Sequence, residues 1–80
     1  MDNQIIFKLI HKGWESEYSG IKVSTEPIKV RIGDHWEERW KITIVKGNNI
    51  DMYLCNDVYS MMATITKHTN RTPYFKVSEA

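Results

Sequence analysis

An α+β fold, an antiparallel sheet of four or five strands with one helix packed on a face, follows from three features of the sequence. Two runs alternate apolar and polar residues with a period of two around Gly33-Asp34. A third such run follows the turn Lys46-Gly47-Asn48-Asn49, and an apolar stripe of helical spacing comes after a capping residue at Asn56 or Asp57. Eighty residues provide one hydrophobic core, because a chain of this length buries only about 60% of the surface its unfolded form exposes. Residues 1–80 are therefore expected to form a single domain.

The first element is Ile5-Ile6-Phe7-Lys8-Leu9-Ile10, too short for a stable helix and rich in branched residues, which predicts a strand buried on much of both faces. Lys12-Gly13 breaks it. Trp14 to Gly20 reads as a loop or a short helical turn, and Ile21-Lys22-Val23 as a brief strand. From Pro27 the pattern strengthens: Ile28, Val30 and Ile32 alternate with Lys29 and Arg31, and after the turn Trp36, Glu38, Trp40, Ile42 and Ile44 alternate with Glu37, Arg39, Lys41 and Thr43. This predicts a hairpin with one nearly continuous apolar face. The other face is expected to be a ribbon of mixed charge in which Lys29 and Arg31 approach Glu37 or Arg39, each opposite-charge pair contributing roughly 0.2–1 kcal/mol. Glu38 interrupts the apolar face near the turn, where the hairpin tip is expected to project past the core.

Gly47 and Asn48 tolerate left-handed backbone angles and form the second turn. Ile50, Met52 and Leu54 then alternate with Asp51, Tyr53 and Cys55, which predicts a sheet-central strand. Asn56 or Asp57 caps a helix with the stripe Val58, Met61, Met62 and Ile65, ending around His68 to Asn70. A strand over residues 61–67 competes, because Ala63-Thr64-Ile65-Thr66 has β propensity; the stripe and the cap favour the helix. Pro73 leads into a last strand, Tyr74-Phe75-Lys76-Val77, and Ser78-Glu79-Ala80 is expected to fray.

The composition, 41% hydrophobic and 26% charged, is that of a folded protein. Cys55 is the sole cysteine, so no intrachain disulfide exists. Secreted domains of this size usually depend on several, which points to a cytoplasmic location. Asp2 and Lys8 argue against a signal peptide or membrane span at the N-terminus, and no membrane partner is expected. Asn70-Arg71-Thr72 matches a glycosylation triplet, which matters only in a secretory compartment. Net charge is +1, divided as −1 over residues 1–40 and +2 over residues 41–80. Neither half resembles a polyelectrolyte-binding tail.

Chemistry-bearing patterns are sparse. His11, His35, His68 and Cys55 are isolated from one another, without the close-spaced pair that zinc sites use, so no metal and no cofactor is expected. Cys55 with His35 or His68 would need a pocket and a depressed thiol pKa to act as a nucleophile. The acid pairs Glu15/Glu17 and Glu37/Glu38 read as solvated surface, and Gly13, Gly20, Gly33 and Gly47 each stand alone, unlike a phosphate cradle. The chain is thus expected not to be an enzyme.

Two binding readings remain. Three tryptophans and four tyrosines exceed what a small core easily encloses, and Trp, Tyr and Arg concentrate binding energy at protein interfaces. The expected partner surface is Trp36, Glu37, Glu38 and Arg39 at the hairpin tip, with Trp14 and Tyr18. The expected partner is a larger intracellular protein, and a homodimer is a further option. Small phage or mobile-element proteins that inhibit host machinery share this format, an analogy from size alone. The alternative is a single-stranded nucleic-acid-binding sheet using Trp36, Trp40 and Tyr53 beside Lys29, Arg39 and Lys41. Glu37 and Glu38 in the same strand disfavour it, since phosphate contacts need net positive charge.

Overall fold

The computed structural model describes residues 4–76. Its elements run β1 (Gln4–Ile10), β2 (Gly13–Tyr18), β3 (Ile21–Ile32), β4 (His35–Lys46), β5 (Asn49–Cys55), α1 (Val58–Thr69) and β6 (Thr72–Lys76). All six strands form one sheet in the order β5-β4-β3-β2-β1-β6. The α+β fold with one helix on a face is as expected, with two differences. There are six strands, because Trp14 to Tyr18 is a strand and not a loop. The sheet is also mixed, since β6 lies parallel to β1 and every other pair is antiparallel. The helix causes the parallel pairing: it carries the chain from β5 at one edge to β6 at the other, and only such a crossover joins parallel strands.

Tight two-residue turns build the meander. Ser19 and Gly20 both have positive φ, 49° and 79°, the signature of a type I′ turn. Gly33 and Gly47 have φ of 64° and 60°, while the Asp34 and Asn48 that follow them do not share it, so glycine leads each turn as type II′ requires. The expected brief strand at Ile21-Lys22-Val23 and the run from Pro27 are one continuous strand. Pro27 is tolerated inside it for a specific reason. Alternation from the Ile32–His35 closing pair aims the backbone groups of odd-numbered β3 residues away from β4, toward β2. Since β2 pairs with β3 only as far as Thr25, the donor that Pro27 lacks has no acceptor to lose.

The core lies between α1 and one face of the sheet. Ile5, Phe7, Val23, Ile42, Ile44, Cys55, Met61 and Ile65 are buried, with Trp14, Tyr18, Ile21, Trp40, Tyr53, Met62 and Phe75 packed around them. Strand β1 is buried on this face alone, for Ile6 on the other side is 56% exposed. Asp57 is the helix cap: its carboxylate accepts from the Ser60 backbone N–H at 2.8 Å. Asn70 ends the helix in the left-handed region, its N–H donating to the Thr66 carbonyl at 2.8 Å. The helix therefore prevails over a strand at residues 61–67. The last strand begins at Thr72; the predicted Val77 and the fraying 78–80 lie outside the described residues.

Turn length overturns one expectation about the hairpin. A two-residue turn at 33–34 pairs even-numbered residues of β3 with odd-numbered residues of β4: Ile28 with Arg39, Val30 with Glu37, Ile32 with His35. The apolar runs of the two strands therefore point to opposite faces, as a one-residue register change demands. The turn at 47–48 repeats the parity change, pairing Ile50 with Val45, Met52 with Thr43 and Leu54 with Lys41. Ile28, Val30, Ile32, Ile50, Met52 and Leu54 thus share the face opposite the helix. Strand β5 is an edge strand and not a central one.

Candidate functional site

Strands β3 and β4 are each twelve residues long, and their neighbours are shorter. On one side β2 stops at the Trp14–Thr25 pair, and on the other β5 stops at the Trp40–Cys55 pair. Beyond these limits residues 26–39 continue as a two-stranded ribbon with both outer edges unpaired. This is the projecting tip that the position of Glu38 suggested.

Trp36 stands on the ribbon's helix-side face, opposite Arg31, and is 61% exposed. Glu38 follows on the same face, and the register sets Glu38, not Glu37 or Arg39, opposite Lys29. Glu37 and Arg39 point to the other face, where the Arg39 guanidinium donates to the Glu37 carboxylate at 2.6 Å. His35, two residues earlier on that face, lies 2.8 Å from the same carboxylate. These two contacts, His35 first, hold the Glu37 carboxyl below its ordinary pKa. The coupling of His35, Glu37 and Arg39 was readable in principle, since residues two apart on a strand share a face. The three side chains bind one another along one face of β4, with His35 exposed and Arg39 half-buried.

The other two expected contact residues lie elsewhere. Trp14 is half-buried with its ring edge against Phe75 at a centroid distance of 5.3 Å. Tyr18 donates its hydroxyl to the Thr69 carbonyl at 2.8 Å, with the Arg71 guanidinium 4.7 Å over its ring. Trp14 thus packs on β6 and Tyr18 ties β2 to the end of α1, both away from the ribbon tip, whose two faces carry Trp36 with Glu38 and Glu37 with Arg39. The nucleic-acid candidates are divided between the two faces: Trp36, Trp40, Tyr53 and Lys29 stand on the helix side, with Tyr53 stacked on His68 at 4.6 Å, and Arg39 and Lys41 stand on the other.

No group of three or more metal-ligating side chains occurs among the described residues. Cys55 is buried with its sulfur 3.4 Å from the Thr64 hydroxyl; neither His35 nor His68 takes part in that contact. No helix among the described residues is long and apolar enough to cross a membrane. A feature that the sequence reading missed is the apolar strip on β5, where Ile50, Met52 and Leu54 are 64%, 63% and 60% exposed. Comparison with protein-family models, with curated proteins and with solved structures gave no match.

Proposed function

We propose that this chain is a small non-enzymatic protein-binding domain that docks on a larger protein through its β3–β4 ribbon. The observation that carries this reading is the exposed indole of Trp36 on a ribbon that neither β2, β5 nor α1 covers. A large aromatic side chain held on a rigid strand and flanked by charge is the format of an interface anchor, because it loses little entropy on binding and buries much apolar area. Glu38, Lys29 and Arg31 around it supply the polar rim that such anchors commonly have.

The charge of the ribbon favours protein over nucleic acid. Residues 26–41 contain Lys29, Arg31, Arg39 and Lys41 against Glu26, Asp34, Glu37 and Glu38, four of each sign. Arg39 is already engaged by Glu37. A balanced strip of this kind releases few counterions from phosphates.

A photo-crosslinking residue placed at position 36 in native host cells tests the reading, with the same residue at position 59 of the helix as control. The expected result is a discrete protein adduct from position 36 alone, with Trp36→Ala weakening the identified complex by about 2 kcal/mol or more. Adducts to nucleic acid, or protein adducts of equal yield from both positions, would refute it.

A further inference from the structure

The two edges of the sheet are defended differently. Strand β6 has Pro73 and Lys76 within five residues, the residue types by which natural edges resist pairing. Strand β5, Asn-Ile-Asp-Met-Tyr-Leu-Cys, has no proline, no lysine and no arginine, and its only charge is Asp51 on the helix side. Alternation from the Lys46–Asn49 closing pair turns the backbone groups of Asn49, Asp51, Tyr53 and Cys55 toward β4. The N–H and C=O groups of Ile50, Met52 and Leu54 therefore face outward along the free edge, directly below their three exposed side chains.

We infer that a second copy of this chain occupies this edge, β5 pairing antiparallel with β5 across a two-fold axis at Met52. The segment is complementary to itself in this register. Met52 meets Met52 of the second copy, Ile50 meets Leu54, Asp51 meets Tyr53 and Asn49 meets Cys55, so all seven residues of the strand are matched. The three pairs with outward backbone groups, 50–54, 52–52 and 54–50, exchange about six hydrogen bonds. A two-fold axis perpendicular to the sheet keeps both helices on one side, so directly opposed residues must come from the same face. A one-residue displacement of the axis, to Asp51, would set two carboxylates directly against each other, an arrangement that destabilises sheets. With the axis at Met52 the carboxylates are staggered and each faces a tyrosine.

The result is one continuous sheet formed from the two six-stranded sheets. Six apolar side chains from Ile50, Met52 and Leu54 flank one another on its open face. The contact uses the same patch on both copies and so closes at two, consuming the unprotected edge instead of propagating a fibre. This inference does not rest on the ribbon reading, since the ribbon lies beyond the residues that β5 covers.

Sedimentation of the purified chain reads it directly. The expected outcome is a dimer at micromolar to hundreds of micromolar concentration, and a folded monomer for Met52→Lys, which places two ammonium groups on the axis, with a thermal midpoint that, unlike the parent's, does not rise with concentration. In parallel, Met52→Cys is expected to oxidise to a covalent dimer, because directly opposed hydrogen-bonded residues have Cα atoms about 5.5 Å apart, within disulfide reach. Tyr74→Cys, on β6 at the opposite edge of the sheet, is expected not to crosslink. A parent chain that stays monomeric over the whole range overturns the inference, as does a dimer that survives Met52→Lys. Should Met52→Lys fail to fold, the crosslink decides, and equal dimer yield from Met52→Cys and Tyr74→Cys counts against it.

Discussion

Gly13 and Thr25 approach backbone to backbone where β2 ends against β3: a Cβ atom at position 13 would overlap the Thr25 carbonyl oxygen and lie 2.9 Å from the Glu26 Cα. Both obstacles are main chain, so a side chain here cannot be accommodated by a rotamer change. The close approach sits one residue before the ribbon leaves the cover of β2.

Gly13→Ala is therefore expected to lower stability by about 1–3 kcal/mol, the cost of inserting an atom into packed structure that must shift to receive it. Urea unfolding measures it. A midpoint equal to that of the parent would mean that β2 and β3 separate easily, and that the ribbon is not held at its base.

Thr25 carries a second cost. It is 1% exposed, and its hydroxyl oxygen has no hydrogen-bond partner. A buried hydroxyl without a partner costs about 1–3 kcal/mol of desolvation, which an apolar group of the same shape avoids. Thr25→Val is expected to raise stability by about 1 kcal/mol, seen as a higher urea midpoint at constant slope. A lower midpoint would show that the hydroxyl is bonded in solution.

The helix cap makes stability depend on acid pH. The backbone N–H of Ser60 is the main cause holding the Asp57 carboxyl below its ordinary value. The group thus binds its proton less readily in the folded chain than in the unfolded one. Its contribution is present above the unfolded pKa of about 3.9 and is lost as pH falls through the depressed folded value. Asp57→Asn keeps an acceptor for the cap but does not titrate. The thermal midpoint of the parent should exceed that of Asp57→Asn near neutrality, with the gap closing below about pH 4. A gap independent of pH would assign the effect to hydrogen-bond geometry and not to charge.

Most of the local structure was legible in the sequence because it depends on neighbours in the chain. The period of two located β3, β4 and β5, Gly33 and Gly47 located the turns, and the cap with its stripe located α1. What was not legible depends on parity and on partners. Whether Ile50 faces the helix is decided by the number of residues in the turn at 47–48, and both candidate turns were long enough on paper to allow either face. Trp14 and Tyr18 are separated by three polar residues, Glu15, Ser16 and Glu17, of weak β propensity, so pairing with β1 and β3 had to supply what the segment lacks. The edge position of β5 is a property of the whole sheet order, which only the α1 crossover determines. Of the candidate contact residues, the exposed position of Trp36 was legible from the break in the apolar pattern at Glu38, whereas the packing of Trp14 on Phe75 and of Tyr18 on Thr69 depends on β6 and α1, which are distant in sequence.

Trp36 and Trp40 provide the sharpest comparison, since they occupy the same face of the same strand four residues apart. Trp40 lies opposite Pro27 and Cys55, the last position at which β4 has neighbours on both sides, and it packs against the buried cluster. Trp36 lies past that boundary, opposite Arg31 alone, and most of its surface stays in water in the isolated chain. Truncation cost follows the contacts and burial lost, so Trp40→Ala is expected to destabilise by about 3–5 kcal/mol. Trp36→Ala is expected to cost under about 1 kcal/mol, in the range of surface substitutions and modest partial burial. Guanidinium unfolding of the two variants measures both on one scale. Equal losses would show that the ribbon folds back on the core in solution, leaving Trp36 nothing to offer a partner. A large difference, combined with loss of the position-36 complex in Trp36→Ala, would separate the residue that holds the sheet together from the residue kept for binding.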